Sequence, residues 1–402
     1  MSADRPSSDP VLMSAAGPRL TLLALGMFVI GTDSYVIAPL LSVIARDLDV
    51  GIAAAAQLVT VYALAFALCS PFVATVTARW PRRRTLGVGL AIFIAANAGA
   101  ALAPSFAALL IARACAGLGA AVFAPVAGAS AAGLVSAGRR GQALSILMIG
   151  LSSATALGSP LGTLIGNGTS WRAVFVVIAT LAAAVMLALA VSIRDGSDVD
   201  AAPLSERLRP LRDPQVLTTL LTTFLVLTGL YISYTYISAV FDRATGHDGS
   251  RMAILQSVWG FAGIVGATMA GRLTDRFNTT VVVRLSLAVL IADFALMPWT
   301  SAYQASAAAA MLVWGLCAWG FVVPQQHRLL GVAPKSGSIL LALYTTAVYA
   351  GSSASGVIGA LALQVIDPHR LPLVGVVLIV SGLLVDECSR RRKGVSLAVP
   401  GL

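Results

Sequence analysis

LTLLALGMFVIGTDSYVIAPLLSVI, residues 20–44, is an apolar run broken by one charged side chain, Asp33. As a helix it is long enough to cross the ~30 Å hydrocarbon core of a bilayer. It is too long for the apolar segment of a cleaved signal peptide, so it reads as a retained first membrane helix behind a polar, Pro- and Ser-rich start.

The rest of the chain repeats this pattern. Of 402 residues, 58% are hydrophobic and only 11% charged, with mean hydropathy +0.88. No water-soluble globule hides that much apolar surface. Twelve apolar runs are expected as helices: 20–44, 53–77, 85–103, 106–133, 143–166, 172–193, 215–241, 252–271, 279–299, 304–329, 338–365 and 371–386. They are too long for barrel strands, and helices satisfy the backbone in lipid. The expected fold is an all-α membrane protein with twelve transmembrane helices.

The net charge of +10 could signal nucleic acid, but the arginines cluster between apolar runs, so no nucleic-acid partner is expected. With the N-terminus inside, 21 of the 27 basic residues fall on the cytoplasmic side, which predicts that both termini are cytoplasmic. The segment RDGSDVDAAPLSERLRPLRD, residues 194–213, reads as a cytoplasmic linker between an N-terminal half, 1–193, and a C-terminal half, 214–402. Gly150, Ala154, Gly158 and Gly162 of the fifth run, shifted by 197, become Ala347, Gly351, Ser355 and Gly359 of the eleventh. The same shift takes Ala74 and Ala78 to Gly271 and Asp275. Two six-helix halves in parallel repeat predict a transporter with its site between them.

Several chemistries are poorly supported. Neither lysine follows a glycine, so there is no phosphate-binding loop, and no zinc-peptidase motif or nucleophile elbow with a plausible triad occurs. The histidines His247, His327 and His369 read as interfacial polar groups. Cys69, Cys115, Cys317 and Cys388 suggest no disulfide or metal site and read as small buried hydrophobes. No enzyme activity, metal or cofactor is expected; a solute or proton gradient remains as the energy source.

Asp33 must face the protein interior or a wet cavity, because a central charge is costly in lipid. It reads as a proton-coupling or substrate-cation site, or else as a structural carboxylate. Arg113, in IARACAGLGAA, lies at comparable depth and either pairs with Asp33 or snorkels outward. Asp293 is expected to snorkel or to make a local hydrogen bond. In the fifth run, small residues permit close packing and Pro160 should kink the helix. Tyr35, Tyr231, Tyr234, Ser238, Trp314, Trp319 and Gln325 are candidate cavity residues for an amphipathic organic ligand.

These motifs resemble the major facilitator superfamily over essentially the whole chain, and most of all its twelve-helix drug:proton antiporter and arabinose-efflux-permease-like branch. GRLTDRFN resembles the signature G-x-L-x-D-R-x-G-R-R through Gly271, Asp275 and Arg276, with Asn278 in place of the last glycine. ATVTARWPRRR keeps Arg79, Arg82 and Arg83, but Ala78 stands where the family carries a carboxylate. Arg113, Gly117, Gly119 and Ala120 resemble the R-x-x-x-G-x-G-A motif; Gly150, Gly158, Pro160 and Gly162 resemble the antiporter motif. The resemblance implies a proton site at Asp33, a coupling role for Arg113 and a conformational role for the loop motif. It further implies a multi-pass protein of a bacterial-type inner (plasma) membrane, expected as a monomer, that exports a small organic compound, such as a drug or metabolite, in exchange for protons. The alternatives are a proton-coupled importer of a sugar or nucleoside, or a membrane receptor that does not transport.

Overall fold

The computed structural model describes residues 16–77, 80–192, 209–332 and 337–397. Most of the expected linker 194–213, together with Arg79, lies outside the described residues, as does the side chain of Asp275.

Among the described residues, twelve long helices follow the twelve apolar runs. They are α1 Gly17–Asp47, α2 Gln57–Val76, α3 Arg82–Ala101, α4 Phe106–Gly133, α5 Arg140–Gly168 and α6 Trp171–Ser192. In the second half come α7 Pro214–Thr235, α8 Gly249–Arg276, α9 Thr279–Thr300, α10 Gln304–Val332, α11 Gly337–Ala362 and α12 Leu371–Leu397. Among the described residues 11 helices are long and apolar enough to cross a membrane; α11, diluted by Gly, Ser and Thr, is outside that set. Side-chain caps set several starts: the side chains of Ser105, Asp213, Asp248 and Asn278 accept backbone N–H bonds from the first turns of α4, α7, α8 and α9. The Asp248 carboxyl is held below the usual carboxylate range, chiefly by the N–H groups of Ser250 and Arg251.

Three elements depart from the sequence reading. The helix expected over 215–241 stops at Thr235 and continues as two short turns, Ile237–Val240 and Asp242–Thr245. Thr235 shares a hydroxyl bond with Ser355 and the Tyr236 hydroxyl donates to the Gly356 carbonyl, so side-chain bonds to α11 take over where the regular helix ends. In α5 the irregularity before Pro160 is a π-helical turn, Ala154–Gly158, rather than a simple proline kink. Pro160 has no N–H to give, and the wider turn absorbs the lost bond. Finally, α12 runs on to Leu397, since the Arg- and Lys-rich stretch that follows the apolar run is itself helix-favouring.

Packing repeats between the halves. In the first, α1 packs on α5 and α6, α2 on α4, α3 on α4 and α6, and α4 on α5. In the second, α7 packs on α11 and α12, α8 on α10, α9 on α10 and α12, and α10 on α11. Each pairing has its counterpart six helices on, which makes the fold two six-helix pseudo-repeats. The halves meet where α2 packs on α11 and α5 on α8, with α1 crossing α7 between them.

The cysteines are not buried hydrophobes. Cys115 and Cys388 are exposed and Cys69 and Cys317 half-buried. Cys69 and Cys317 pack only in part against the core.

Candidate functional site

Asp33 and Arg113 meet between α1 and α4. One guanidinium nitrogen, Nη1, donates to both carboxylate oxygens, at 2.7 and 2.8 Å. Nη2 donates to the Asp33 carbonyl at 3.4 Å, and Nε donates to the Leu58 carbonyl of α2 at 3.5 Å. The Tyr62 ring lies against the guanidinium, 4.4 Å from its carbon to the ring centroid. Exposure of the pair is 1% for Arg113 and 0% for Asp33. Of the two sequence readings for Arg113, pairing holds and snorkelling does not. A buried ion pair survives desolvation only with close geometry and additional hydrogen bonds, and both are present.

The glycines around Arg113 explain why the partners can reach it. A Cβ on Gly117 would run into the Tyr62 carbonyl, and one on Gly119 would strike the Phe93 backbone of α3. Small residues therefore draw α2 onto α4 and bring Leu58 and Tyr62 to the arginine. From there Ser34 donates to the Tyr62 hydroxyl at 2.9 Å. One turn further on α2, Phe66 stacks on Tyr349 of α11 at 3.8 Å, on the boundary between the halves.

Next to the pair, Tyr35 opens an aromatic cluster that spans both halves. Its hydroxyl lies 3.4 Å from that of Tyr231, and Tyr234 donates to its carbonyl at 3.0 Å. Tyr234 packs edge-on to Tyr35 at 5.5 Å and beside Trp259 at 4.8 Å; Trp314 sits behind, 5.7 Å from Trp259 and 5.2 Å from Phe294. Four of the sequence candidates, Tyr35, Tyr231, Tyr234 and Trp314, thus come together. Ser238 bonds Ser42 of α1 at 2.9 Å, farther along the same crossing. Trp319 is elsewhere, against Gly263 of α8. Gln325 is also apart: its Oε1 accepts from Arg328, which pairs with Asp386 of α12 at 2.7 Å. Arg328, inside the run 304–329, is therefore a largely buried ion-pair partner.

The α5 turn is wedged between the halves. A Cβ on Gly158 would strike Thr32, the neighbour of Asp33, and one on Gly162 would strike Val36. On the other side a Cβ on Gly260 of α8 would run into the Ala156 backbone. Gly150 lies against the Ala24 backbone, and Pro160 is buried within the same packed stretch. Ser159 and Thr163 donate to Gln256 Oε1 of α8, at 3.4 and 2.9 Å.

The loop-motif residues are described only in part. The Arg82 side chain lies against Gly133 of α4, Arg83 is exposed, and the Arg276 guanidinium is 5.9 Å from the Phe277 ring. A Cβ on Gly271 would meet nothing within 4 Å. Asp293, expected to snorkel or to bond locally, buries its Oδ2 with no hydrogen-bond partner. No group of three or more His, Cys, Asp or Glu that could hold a metal occurs among the described residues.

Tyr62, Gln256 and Trp259 were missed in the sequence. Gln256 carried a signal, a lone amide in the run over 252–271. Tyr62 and Trp259 carried none, because aromatics are ordinary in membrane helices.

The ties between the halves share one end of the bundle. Successive helices run in opposite directions, and α1 and α7 run alike, since Tyr35–Tyr231 and Ser42–Ser238 are both separated by 196 residues. The hydrogen bonds of Tyr35, Ser42, Thr163 and Gln256 to the opposite half lie toward the end where α1 finishes, while Phe66, midway along α2, meets Tyr349 midway along α11. At the end where α1 begins, Leu25 of α1 and Leu221 of α7 stand exposed, again 196 apart.

Two like six-helix halves meeting about a shared axis, in a chain built of lipid-spanning helices, define a membrane transporter. A family model described as Major Facilitator Superfamily matches residues 23–356, and the chain belongs to that superfamily. The chain is 26% identical over 371 residues to the "Uncharacterized MFS-type transporter YbcL" of Bacillus subtilis (strain 168), covering 91% of this chain and 95% of that one. It is 28% identical over 384 residues to the "Inner membrane transport protein YdhP" of Escherichia coli (strain K12), covering 94% and 98%. A bacterial homologue of the human lysosomal transporter Spinster, in an inward-facing and occupied conformation, superposes with TM-score 0.76 at 16% identity over 96% of this chain and 98% of that one. A D-xylose-proton symporter gives TM-score 0.75 at 16% identity over 92% and 97%. At that identity the two structures share the fold alone. The chain is a multi-pass membrane transporter of the bacterial inner-membrane type and not an enzyme.

Proposed function

We propose that this transporter exports a small organic compound, such as a drug or metabolite, by antiport with protons, and works as a monomer. The observation that carries the reading is the Asp33–Arg113 pair, buried at 0% and 1% exposure beside the aromatic cluster between the halves. A proton taken up by the carboxylate cancels its attraction for the guanidinium. Arg113 then keeps only the Leu58 and Asp33 carbonyls and the Tyr62 face as partners. Thr32, the next residue on α1, is seated against Gly158 of the α5 turn, and that turn touches α8 of the other half. A change at Asp33 therefore has a contiguous path to the boundary between the halves. Substrate binds among Tyr35, Tyr231, Tyr234 and Trp314, whose rings suit an apolar or aromatic body with few charges.

The halves 1–193 and 214–402 act as the moving bodies, joined by a cytoplasmic linker at 194–213. Both termini are cytoplasmic, in keeping with the distribution of arginine. In that orientation the tied end faces outward, so the state described here is closed on the outer side. Export rather than uptake is supported by the tight α1–α5 seal at Gly158 and Gly162, in the stretch that resembles an antiporter motif.

Everted vesicles loaded with a ΔpH-sensitive dye test the reading. A transported compound should dissipate the gradient with the native chain, and Asp33→Asn should abolish the response while the protein still inserts. Undiminished ΔpH-driven export by Asp33→Asn would remove the proton role.

A further inference from the structure

A groove of about 320 Å³ runs between the start of α3 and the end of α6. Arg83 and Arg84 stand at its rim, and below them the walls are apolar, including Leu90, Met186 and Leu187, with Gly87 between. It lies outside the transport pathway: α3 and α6 pack on α1, α4 and α5, and the surface beside it is exposed and apolar, with Leu187 66% and Val191 87% exposed. In a membrane that surface faces acyl chains. From these features we infer that the groove is a binding site for an anionic glycerophospholipid, phosphate at the arginines and acyl chain along α3 and α6.

Three features support this occupant. Neither arginine has an acidic partner among the described residues, and Arg84 is steadied over the Trp80 ring at 4.7 Å. Two uncompensated guanidinium groups at the edge of an apolar slot match a phosphate oxygen pair, which arginine binds as a fork. Spacing supplies the second: Arg83, Gly87 and Leu90 follow one another at helical intervals of four and three, so charge, gap and apolar wall share one face of α3. The third is the gap itself, since a Cβ on Gly87 would meet nothing within 4 Å. A water-soluble phosphate compound would leave the apolar walls unused, and a purely apolar molecule would leave the two charges unanswered.

The test is native mass spectrometry of the full chain in detergent, titrated with phosphatidylglycerol or phosphatidylcholine. Phosphatidylglycerol should be retained in preference to phosphatidylcholine. Arg83→Gln/Arg84→Gln should weaken its retention on the order of thirtyfold, the combined effect of two interfacial charges. Arg83→Lys/Arg84→Lys should keep most of it. Gly87→Phe places a ring in the slot from a position whose Cβ meets nothing within 4 Å, so it should expel the lipid at unchanged thermal stability even if the double variant fails to fold. Equal retention of the two lipids, or undiminished binding by Gly87→Phe, would overturn the site. Displacement of the lipid by soluble glycerol phosphate would also overturn it, because the acyl wall would then contribute nothing.

Discussion

At the scale of single residues, Asp33 carries the clearest physical contradiction in the chain. A charge at the centre of a membrane helix costs about 2.5–3.5 kcal/mol on insertion scales. Its partner is a second such charge, and the two are cheaper together than apart. The pair should therefore behave as a unit. Asp33→Asn leaves a buried guanidinium without a counter-charge and should cost about 3 kcal/mol, the low end for a broken buried pair, because asparagine can still accept a bond. Arg113→Gln should cost a similar amount, while the double variant should regain most of the loss. Thermal unfolding of the four proteins in one detergent measures this; additive losses in the double variant would mean that the pair is not coupled. Both residues were legible in the sequence because a charge inside an apolar run is conspicuous. Their mutual contact was legible only as one of two options, since depth along a helix does not fix which way a side chain turns. Tyr62, which lies against Arg113, was illegible, for nothing in QLVTVYALAF distinguishes a cation-binding ring from a packing one.

Among the elements, the existence of all twelve helices was readable from apolar run length, and their grouping into two like sets of six from the duplicated pattern. Local irregularities were not. The π-helical turn at Ala154–Gly158 and the broken end of α7 depend on contacts with other helices, which no single-helix pattern contains. The α5 turn matters because it is held on both sides: Gly158 against α1 and Gly260 of α8 against the Ala156 backbone. A methyl group at Gly260 cannot be accommodated by rotating a side chain, because what it meets is backbone. Gly260→Ala should destabilise the tied state by about 1–3 kcal/mol, the usual range for overpacking. That is enough to shift a two-state balance severalfold or more. Ser238, buried here at 6% exposure, offers a readout as Ser238→Cys. Its labelling by a water-soluble maleimide should speed up in the Gly260→Ala background. Gly99→Ala, whose Cβ would meet nothing within 4 Å, should leave the rate unchanged. Equal labelling in both backgrounds would show that the contact does not hold this state.

For the whole molecule, the ties between the halves lie toward one end: the Tyr35–Tyr231 crossing, the Ser42–Ser238 bond and the amide bridge from Gln256 to Thr163. Toward the other end, Leu25 of α1 and Leu221 of α7 are exposed. Such one-sided closure is what a transporter requires if its site is to open to one side of the membrane at a time. The ties are weak individually, hydroxyl and amide bonds worth about 1 kcal/mol each, so they can be broken and remade in every cycle. A covalent tie at the same place should stop the cycle. In a background with the four native cysteines replaced, Ser42→Cys/Ser238→Cys sits where the two hydroxyls are 2.9 Å apart. Oxidative cross-linking of that pair should abolish transport, and a reductant should restore it. The matching control lies inside one half: the hydroxyls of Thr218 on α7 and Ser389 on α12 are 3.1 Å apart, so Thr218→Cys/Ser389→Cys should cross-link without loss of transport. Transport that persists with the Ser42/Ser238 pair fully cross-linked would mean that the two halves do not separate at this end, and the rocking mechanism would fail with it.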